Sequence, residues 1–558
     1  MLRRLYGCFR GDRPTEHSAP VEPPHAIDDA LLEPAMTAIR QGRSDDAIVL
    51  LEALLEAHPG CAKAHLLAGT CRHEQKQIED ARDHYLLAAT LEPAWWAPHF
   101  HLGVLDCDSG RHAESTTPFL RALELGAPQP RVHDALGAAY LNIGSVAEAM
   151  EQFRKALAVA PDFAQAHSNL GLVLLGHLER YDEGTRHLER AVALAPADPA
   201  VLCNWVMALH HWGRWDEALV LADALLARDP TLVEARINRA LALLGKGDFS
   251  GAWDDYEARK LLPGNAYATG PTCPEWQGQP LDGHSIFVYP EQGLGDEIMF
   301  ASCLPQLVAS GARCTVECHP KLEKLFRRSF REVEVVAADP SRRWPQRPQR
   351  VWDFKVSIGS LPRFLRRTRA EFPEHSGYLR ADPARVAHWK AKLSELPGRL
   401  KVGVSWRGGL ASTRRGLRSI PLELWLPVMT LPGIEFVSLQ YSDPECEIEA
   451  LRRSGRRGPQ HWSAAIDDYD ETAALIGALD LVISVQTAVV HLAGALGKEV
   501  WALIPTVPEW RYGGEGTSMA WYPDARLFRQ SERGVWTDVL EKVRGDLQEA
   551  ARRRAQVT

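Results

Sequence analysis

Three stretches carry residue types at spacings that could do chemistry. The first, Ile286 to Leu307, opens as an apolar run over Ile286–Tyr289, turns at Gly293 and Gly295, and becomes helical in pattern from Asp296. A glycine turn between strand and helix lets ligand atoms approach the backbone and aims a helix N-terminus at an anion. Asp296 has two readings: a cap for the helix start, or a carboxylate at the mouth of a cleft, placed to take a proton from a hydroxyl. The third glycine of a dinucleotide fingerprint is absent. The second stretch, Ser405–Leu422, is rich in glycine, hydroxyls and arginine. The guanidinium fork matches phosphate oxygens, so Arg407 and Arg418 suit a diphosphate; solvated loop arginines are the alternative. In the third, an apolar run ends at Ser484–Gln486 and Thr487 begins a helix whose free N–H groups can hold a phosphate. His491 follows one turn later on the same face. A lone histidine in an apolar helix is more often a hydrogen-bonded core residue than a base.

Each stretch must be held by a strand before it and a helix after it. Beyond about residue 285, short apolar runs alternate with helical patterns, as βαβ units with parallel sheets do. The strands are expected at Ile286–Tyr289, Cys314–Cys318, Val333–Ala337 and Phe354–Ile358. After a break near Asp382–Leu400, a second set follows at Val402–Trp406, Phe436–Gln440, Leu481–Val485 and Val500–Ile504. Helices are expected at Pro421–Thr430, Asp470–Leu479 and Thr487–Leu496, and an amphipathic helix at Trp536–Ala555 closes the chain. Two Rossmann-like halves facing a cleft would bring all three loops to the carboxyl ends of strands, where such folds bind ligands.

Before residue 263 the dominant signal is self-similarity. Gly69, Gly103, Gly137 and Gly171 recur every 34 residues; Tyr85, Phe119 and Phe153 keep the period, as do Ala88, Ala122 and Ala156. Prolines 59 and 93 are 34 apart, as are 196 and 230, and an insertion near His177–Glu179 lengthens one interval. A small residue at a helix crossing, an aromatic in the second helix and a terminal proline resemble the tetratricopeptide repeat. About seven units fit between Asp28 and Leu262, an all-α solenoid whose concave surface would bind a protein or peptide.

The three loops together resemble bacterial glycosyltransferases of the heptosyltransferase type. The resemblance rests on G-L-G-D at Gly293–Asp296 and T-x-x-x-H-L-A-G-A-L-G at Thr487–Gly497, and spans about Ser285 to Gln530. It implies an α/β GT-B module of two Rossmann-like domains that transfers sugar from a nucleotide-diphosphate donor without metal or other cofactor, inverting the anomeric carbon. It makes Asp296 the general base, with donor contacts from Gly293, Gly295, Arg407, Arg418, Ser484, Gln486, Thr487 and His491. One position departs: the family has Asp before the threonine of the third motif, and this chain has Gln486, which keeps hydrogen bonding and loses charge. Arg418 stands where the family carries a lysine-type residue. The tail, Trp510-Arg511 and Trp521–Gln530, resembles the closing segment of repeat proteins fused to such a domain. The layout is also similar to that of protein O-linked N-acetylglucosamine transferases, where repeats present a polypeptide acceptor.

The expected division is a disordered leader at 1–27, repeats at 28–262, a linker at 263–284 pinned through Trp276 and Leu281, and halves at 285–398 and 399–558. At 558 residues several domains are expected. A net charge of −8 does not mark a general nucleic-acid binder. The span Ser341–Ala370 is strongly basic, with nine Lys and Arg against Asp353; it reads as a rim for an acidic acceptor or as a solvated linker face. The ten cysteines form no C-x-x-C pair, and Cys314, Cys318 and His319 lack a second ligand cluster for zinc. With no signal-peptide core and no apolar run of spanning length, the chain reads as cytoplasmic. The reading is a glycosyltransferase with a nucleotide sugar and a protein partner at the repeats. The alternative is a non-catalytic repeat scaffold with a degenerate second half.

Overall fold

The 34-residue spacing becomes a row of paired helices. A computed structural model describes residues 29–262, 271–339, 351–409 and 414–556; the expected leader, the first part of the linker, residues 341–350 of the basic span and four residues of the second loop lie outside these. Among the described residues the pairs begin Asp29–Arg40 with Ser44–Ala57, Ala62–Glu74 with Ile78–Leu91, Trp96–Asp108 with His112–Glu124, and Gln129–Ile143 with Val146–Val159. They continue with Ala164–Gly176 and Tyr181–Leu194, Pro199–His211 and Trp215–Arg228, and finally Val233–Lys246 and Phe249–Tyr256. The periodic residues explain the pairing. A Cβ built on Gly69 would stand 2.7 Å from the Tyr85 ring, and one on Gly103 or Gly137 would stand 2.6 Å from Phe119 or Phe153. Only a residue without a side chain lets these helices close over the ring. All three rings are fully buried, each contributing roughly 1.5–3 kcal/mol of transfer free energy. Pro59, Pro93, Pro161, Pro196 and Pro230 each fall two residues past a helix end, where proline's missing N–H does no harm. In the fifth pair Gly171 meets Leu188 and Gly184 instead of an aromatic ring.

The contacts divide after Ala208. Helices up to that point form one compact unit; Leu209–Lys260 belongs with the sheets in the second. The boundary read at Leu262 therefore differs from the division of contacts: the last helix pair is core to the sheet-bearing unit.

That unit holds two parallel sheets. The first contains β1 (Ser285–Tyr289), β2 (Arg313–Cys318), β3 (Glu334–Ala337) and β4 (Phe354–Ser357) in the order β3-β2-β1-β4. The second contains β5 (Leu400–Ser405), β6 (Ile434–Ser438), β7 (Leu481–Val485), β8 (Val500–Ile504) and β9 (Ala525–Arg529) in the order β6-β5-β7-β8-β9. Every neighbouring pair is parallel. Strands β1, β6, β7 and β8 are buried at every residue, as in a sheet covered on both faces. Strand order reverses between β1 and β4 and between β5 and β7, the places where open α/β sheets leave a crevice.

Three expectations change. The break at Asp382–Leu400 contains a helix, Pro383–Ser394, capped by the Asp382 carboxylate, which accepts from the amides of Ala384 (2.9 Å) and Arg385 (3.1 Å). Pro421–Thr430 holds a 3-10 turn, Leu422–Trp425, and a single turn of α-helix, Leu426–Met429, instead of one helix. The tail read as a closing segment includes β9. The last helix, Thr537–Gln556, sends Val539, Leu540, Val543 and Leu547 into the core of the second sheet.

The sheets are tied together. The amides of Tyr378 and Leu379 both donate to the Ala495 carbonyl at 2.8 Å, and Arg328 donates to the buried Asp470 carboxylate, Nη1 at 3.1 Å. The last helix pair joins them: Trp253 Nε1 donates to the Arg366 carbonyl (2.9 Å), and its ring meets Trp510 edge-on at 5.9 Å. The linker is pinned at β4, where the Trp276 amide donates to the Lys355 carbonyl at 2.7 Å. Among the described residues no helix is long and apolar enough to cross a membrane.

Candidate functional site

Strand β1 leads through Gln292, whose φ is +66°, to Gly293, the N-cap of the helix Leu294–Phe300. Asp296 lies in the first turn, where its charge complements the helix dipole, but it does not cap the helix. Its Oδ1 accepts from Arg511 Nε at 2.6 Å and also pairs with Nη2. The glycines correct the sequence reading. Gly293 is extended (φ −115°, ψ 169°), a conformation open to any residue. Gly295 is packed on its side-chain side: a Cβ there would lie 3.1 Å from His491 Cδ2 and 3.3 Å from Ala488 Cα. Its role is to let the Leu294–Phe300 helix cross the Ala488–Ala495 helix at close range.

The second loop corrects another expectation. Arg407 turns away from the β7 end: its Nη2 donates to the carbonyls of Ser442 (3.3 Å) and Asp443 (2.9 Å), and Nε faces Glu447 Oε2 at 3.0 Å. A guanidinium so held fastens the loop after β6. Arg418 does reach the β7 end, donating through Nη1 to the Gln486 carbonyl at 3.3 Å. Gly408 makes that approach possible, since a Cβ there would lie 2.9 Å from the Arg418 carbonyl oxygen and 3.2 Å from that of Gln486. Part of the basic span is engaged where it is described: Arg366 is fully buried, bonded to the carbonyls of Leu365 (2.6 Å) and Ser302 (3.1 Å), and Arg363 pairs with Asp254 at 2.6 Å, while Arg367 and Arg369 are exposed.

At the end of β7, the Ser484 hydroxyl donates to the Val485 carbonyl (2.8 Å) and lies 3.1 Å from the Thr487 hydroxyl. Thr487 is the N-cap of the Ala488–Ala495 helix, its Oγ1 accepting from the Val489 amide at 3.2 Å. Gln486 is 1% exposed. Its Oε1 accepts from the Glu509 amide at 3.4 Å, while its Nε2 has no partner among the described residues. His491 is the core residue foreseen as the plainer alternative: Nδ1 lies 3.2 Å from the Tyr522 hydroxyl, and burial, with Arg511 nearby, lowers its pKa to about 3. It is neutral at ordinary pH and only weakly basic.

Around Gln486 stands a cluster the loop patterns did not single out. Glu509 Oε1 accepts from Arg414 Nη2 at 3.1 Å, and Glu509 Oε2 lies 3.7 Å from Arg511 Nη1. Burial opposes ionisation of Glu509, yet Arg414, Arg418 and Arg511 together hold its carboxyl well below the usual range. Arg511 also reaches Gln292 Oε1 at 3.4 Å and covers the Trp510 ring at 4.7 Å. Three guanidinium groups thus face two carboxylates, leaving positive charge at the carboxyl edge of the second sheet. Arg414 is 3% exposed, and its Nε and Nη1 have no partner among the described residues. Arg511 was legible only as a tail residue, and Glu509 had no spacing to mark it.

The crevice of the first sheet is occupied. Arg259, from the 3-10 turn after the last repeat helix, bonds Glu291 through Nε (2.9 Å) and Nη2, and donates to Ser360 Oγ at 3.1 Å. The Ser357 hydroxyl donates to the same carboxylate. Beside this plug lies a cavity of about 390 Å³ lined by Lys260, Glu275, Trp276, Tyr289, Lys355 and Arg363, among others. Among the described residues no cluster of three or more His, Cys, Asp or Glu could hold a metal ion. Cys314 and Cys318 are buried thiols, Cys314 pushed up to about 12 by burial.

The repeats match the family model of the tetratricopeptide repeat over residues 32–95 and 135–199. Among solved structures, the chain is similar to the APC/C hetero-tetramer Cut9-Hcn1 (17% identity, TM-score 0.37), covering 43% of this chain and 47% of that one. It is also similar to PilF of Pseudomonas aeruginosa (19% identity, TM-score 0.33), covering 38% of this chain and 96% of that one. By the family model the chain carries tetratricopeptide repeats, and a second unit of parallel sheets accompanies them. Over 443 residues it is 34% identical to Protein FlbA of Caulobacter vibrioides (strain ATCC 19089 / CIP 103742 / CB 15), across 75% of this chain and 72% of that protein. The chain belongs to the FlbA family.

Proposed function

We propose that this chain is a glycosyltransferase that takes a nucleotide-diphosphate sugar at the carboxyl edge of the second sheet and glycosylates a hydroxyl of a protein partner held by the repeats. The observation that carries the reading is Gln486 Nε2, buried and unpartnered, beside Arg418 and Arg414 at the N-terminus of the helix capped by Thr487. A diphosphate there would accept from that amide, the guanidinium groups and the helix N-terminus. Donors already fixed in place stabilise leaving-group charge without reorganising. Glutamine at this position adds no negative charge beside the phosphates, which suits an anion better than aspartate would. Asp296 would act as general base. It has first to leave Arg511, so acceptor binding and the opening of that ion pair go together. GT-B architecture, inversion at the anomeric carbon and a cytoplasmic setting belong to the same proposal.

A specific pair of observations favours the second reading, a non-catalytic scaffold: Asp296 is held by Arg511, and Arg259 fills the crevice of the first sheet. Nucleotide release from a panel of nucleotide sugars separates the two. Under the transferase reading, wild type releases nucleoside diphosphate and Asp296→Asn slows release at least 100-fold. Equal release by the variant removes Asp296 as base, and no release from any donor by wild type supports the scaffold.

A further inference from the structure

We propose that the histidine pair at the end of the sixth repeat's first helix, His210 and His211, forms the nucleoside side of the donor site, so that the repeats set which nucleotide is accepted. The inference rests on the donor-site reading above. The turn between the helices Pro199–His211 and Trp215–Arg228 lies against the loop after β8 that carries Glu509 and Arg511. A Cβ on Gly213 would stand 3.4 Å from Val507 Cγ2, the Gly514 amide donates to the Gly245 carbonyl at 2.8 Å, and Arg533 Nη2 donates to the His211 carbonyl at 2.8 Å. The Trp215 ring packs against that of His210, centroids 6.2 Å apart. These contacts fix the two imidazoles beside the arginine cluster.

Their ring nitrogens are then conspicuous. Nδ1 of His210 and Nδ1 of His211 are both shielded from solvent and have no partner among the described residues; the same holds for Gln486 Nε2 and for Nε and Nη1 of Arg414. Buried polar groups in native proteins are almost always bonded, so unpartnered atoms on residues linked through Glu509 and Arg414 point to a polar ligand. The charged groups facing the pair divide the work. Arg414 and Glu509 act on both imidazoles, and Arg533 acts on His211. Burial, reinforced by Arg414, keeps His210 neutral down to about pH 4 and lowers His211 as well. A neutral imidazole offers one N–H or one lone pair and no charge, which matches a ribose hydroxyl or a base edge. The guanidinium groups match the phosphates.

Calorimetric titration of the full chain with inorganic pyrophosphate and with UDP, GDP, ADP, CDP and TDP tests this division. Wild type is expected to prefer one nucleoside diphosphate over pyrophosphate. His210→Ala combined with His211→Ala should remove about tenfold or more of that preference while pyrophosphate affinity stays within twofold. Arg418→Ala should weaken both ligands. The single variants His210→Asn and His211→Asn, which keep a polar group in the site, should retain part of the preference, and a retained far-ultraviolet spectrum shows that the folds persist. A double variant with the full preference, or one that weakens pyrophosphate equally, overturns the inference while leaving the donor site intact. A wild type that binds no nucleoside diphosphate and no pyrophosphate overturns the donor site itself, and the histidine assignment falls with it.

Discussion

Replacing Arg511 with alanine removes one of the side chains that join the two sheet-bearing halves electrostatically. Arg511 donates to Asp296, lies against Glu509 and Gln292, and covers the Trp510 ring. Its side chain is 14% exposed, and those of Asp296 and Glu509 are each 19% exposed. Removing one partner of a buried pair costs about 3–5 kcal/mol, because the other charge is left uncompensated. Here Asp296 retains some water and Glu509 keeps Arg414, so the lower end, about 3 kcal/mol, is expected. The loss is pH-dependent. Glu509 titrates lower in the folded chain than in the unfolded one, so its stabilisation is present above the unfolded value of 4.5 and is lost as pH falls towards its folded pKa. With Arg511 gone that depression shrinks, so the gap between variant and wild type holds down through the unfolded value and closes only in stronger acid, where Glu509 of the variant takes up its proton before that of wild type. Urea denaturation at pH 7 and in steps downward from pH 4, followed by tryptophan fluorescence, measures both effects. An unchanged midpoint at pH 7, or a gap that widens in acid, would refute the reasoning.

Two further predictions address the two units separately. Phe153→Ala empties the pocket closed by Gly137 and should destabilise the repeat unit by about 3–5 kcal/mol, seen as a lower-temperature transition in calorimetry with the sheet-bearing unit's transition unmoved. Glu297, buried next to Asp296, has its pKa raised to about 8, first by burial and further by Asp296, although the His319 amide, donating at 2.9 Å, opposes this. A raised folded pKa gives stability that is complete below the unfolded 4.5 and is lost as pH rises towards 8. Glu297→Gln should therefore flatten the decline in melting temperature between pH 5 and pH 9; an unchanged slope would contradict the assignment.

The repeats were legible because the same packing problem recurs: each glycine spacing reports a helix closing over a ring, so sequence period and structural period coincide. Strands β1, β6, β7 and β8 were legible because burial on both faces leaves largely apolar runs. Strand β9 was harder to see, since Arg526 and Arg529 interrupt its run at a sheet edge. The helix Pro383–Ser394 had its signals, an Asp cap followed by proline and buried Trp389 and Leu393, but its charged outer face made it resemble a connector. The candidate site was legible one loop at a time. Gly295 read as room for a ligand because its true neighbours, Ala488 and His491, lie far along the chain. Arg407 and Arg418 looked equivalent in sequence, and only the fold turns one towards Asp443 and the other towards Gln486. Glu509 and Arg414 matter through mutual approach, which no local spacing encodes.

The central claim is a diphosphate seated between Gln486, Arg418 and the helix capped by Thr487. A crystal structure of the full chain soaked with the nucleoside diphosphate that binds best tests it directly. The account predicts phosphate oxygens within 3.5 Å (roughly the outer limit of a hydrogen bond) of Gln486 Nε2 and the Arg418 guanidinium. Phosphates bound instead beside Lys355 in the cavity near Arg259, or a Gln486 amide still unpartnered with nucleotide elsewhere, would contradict it.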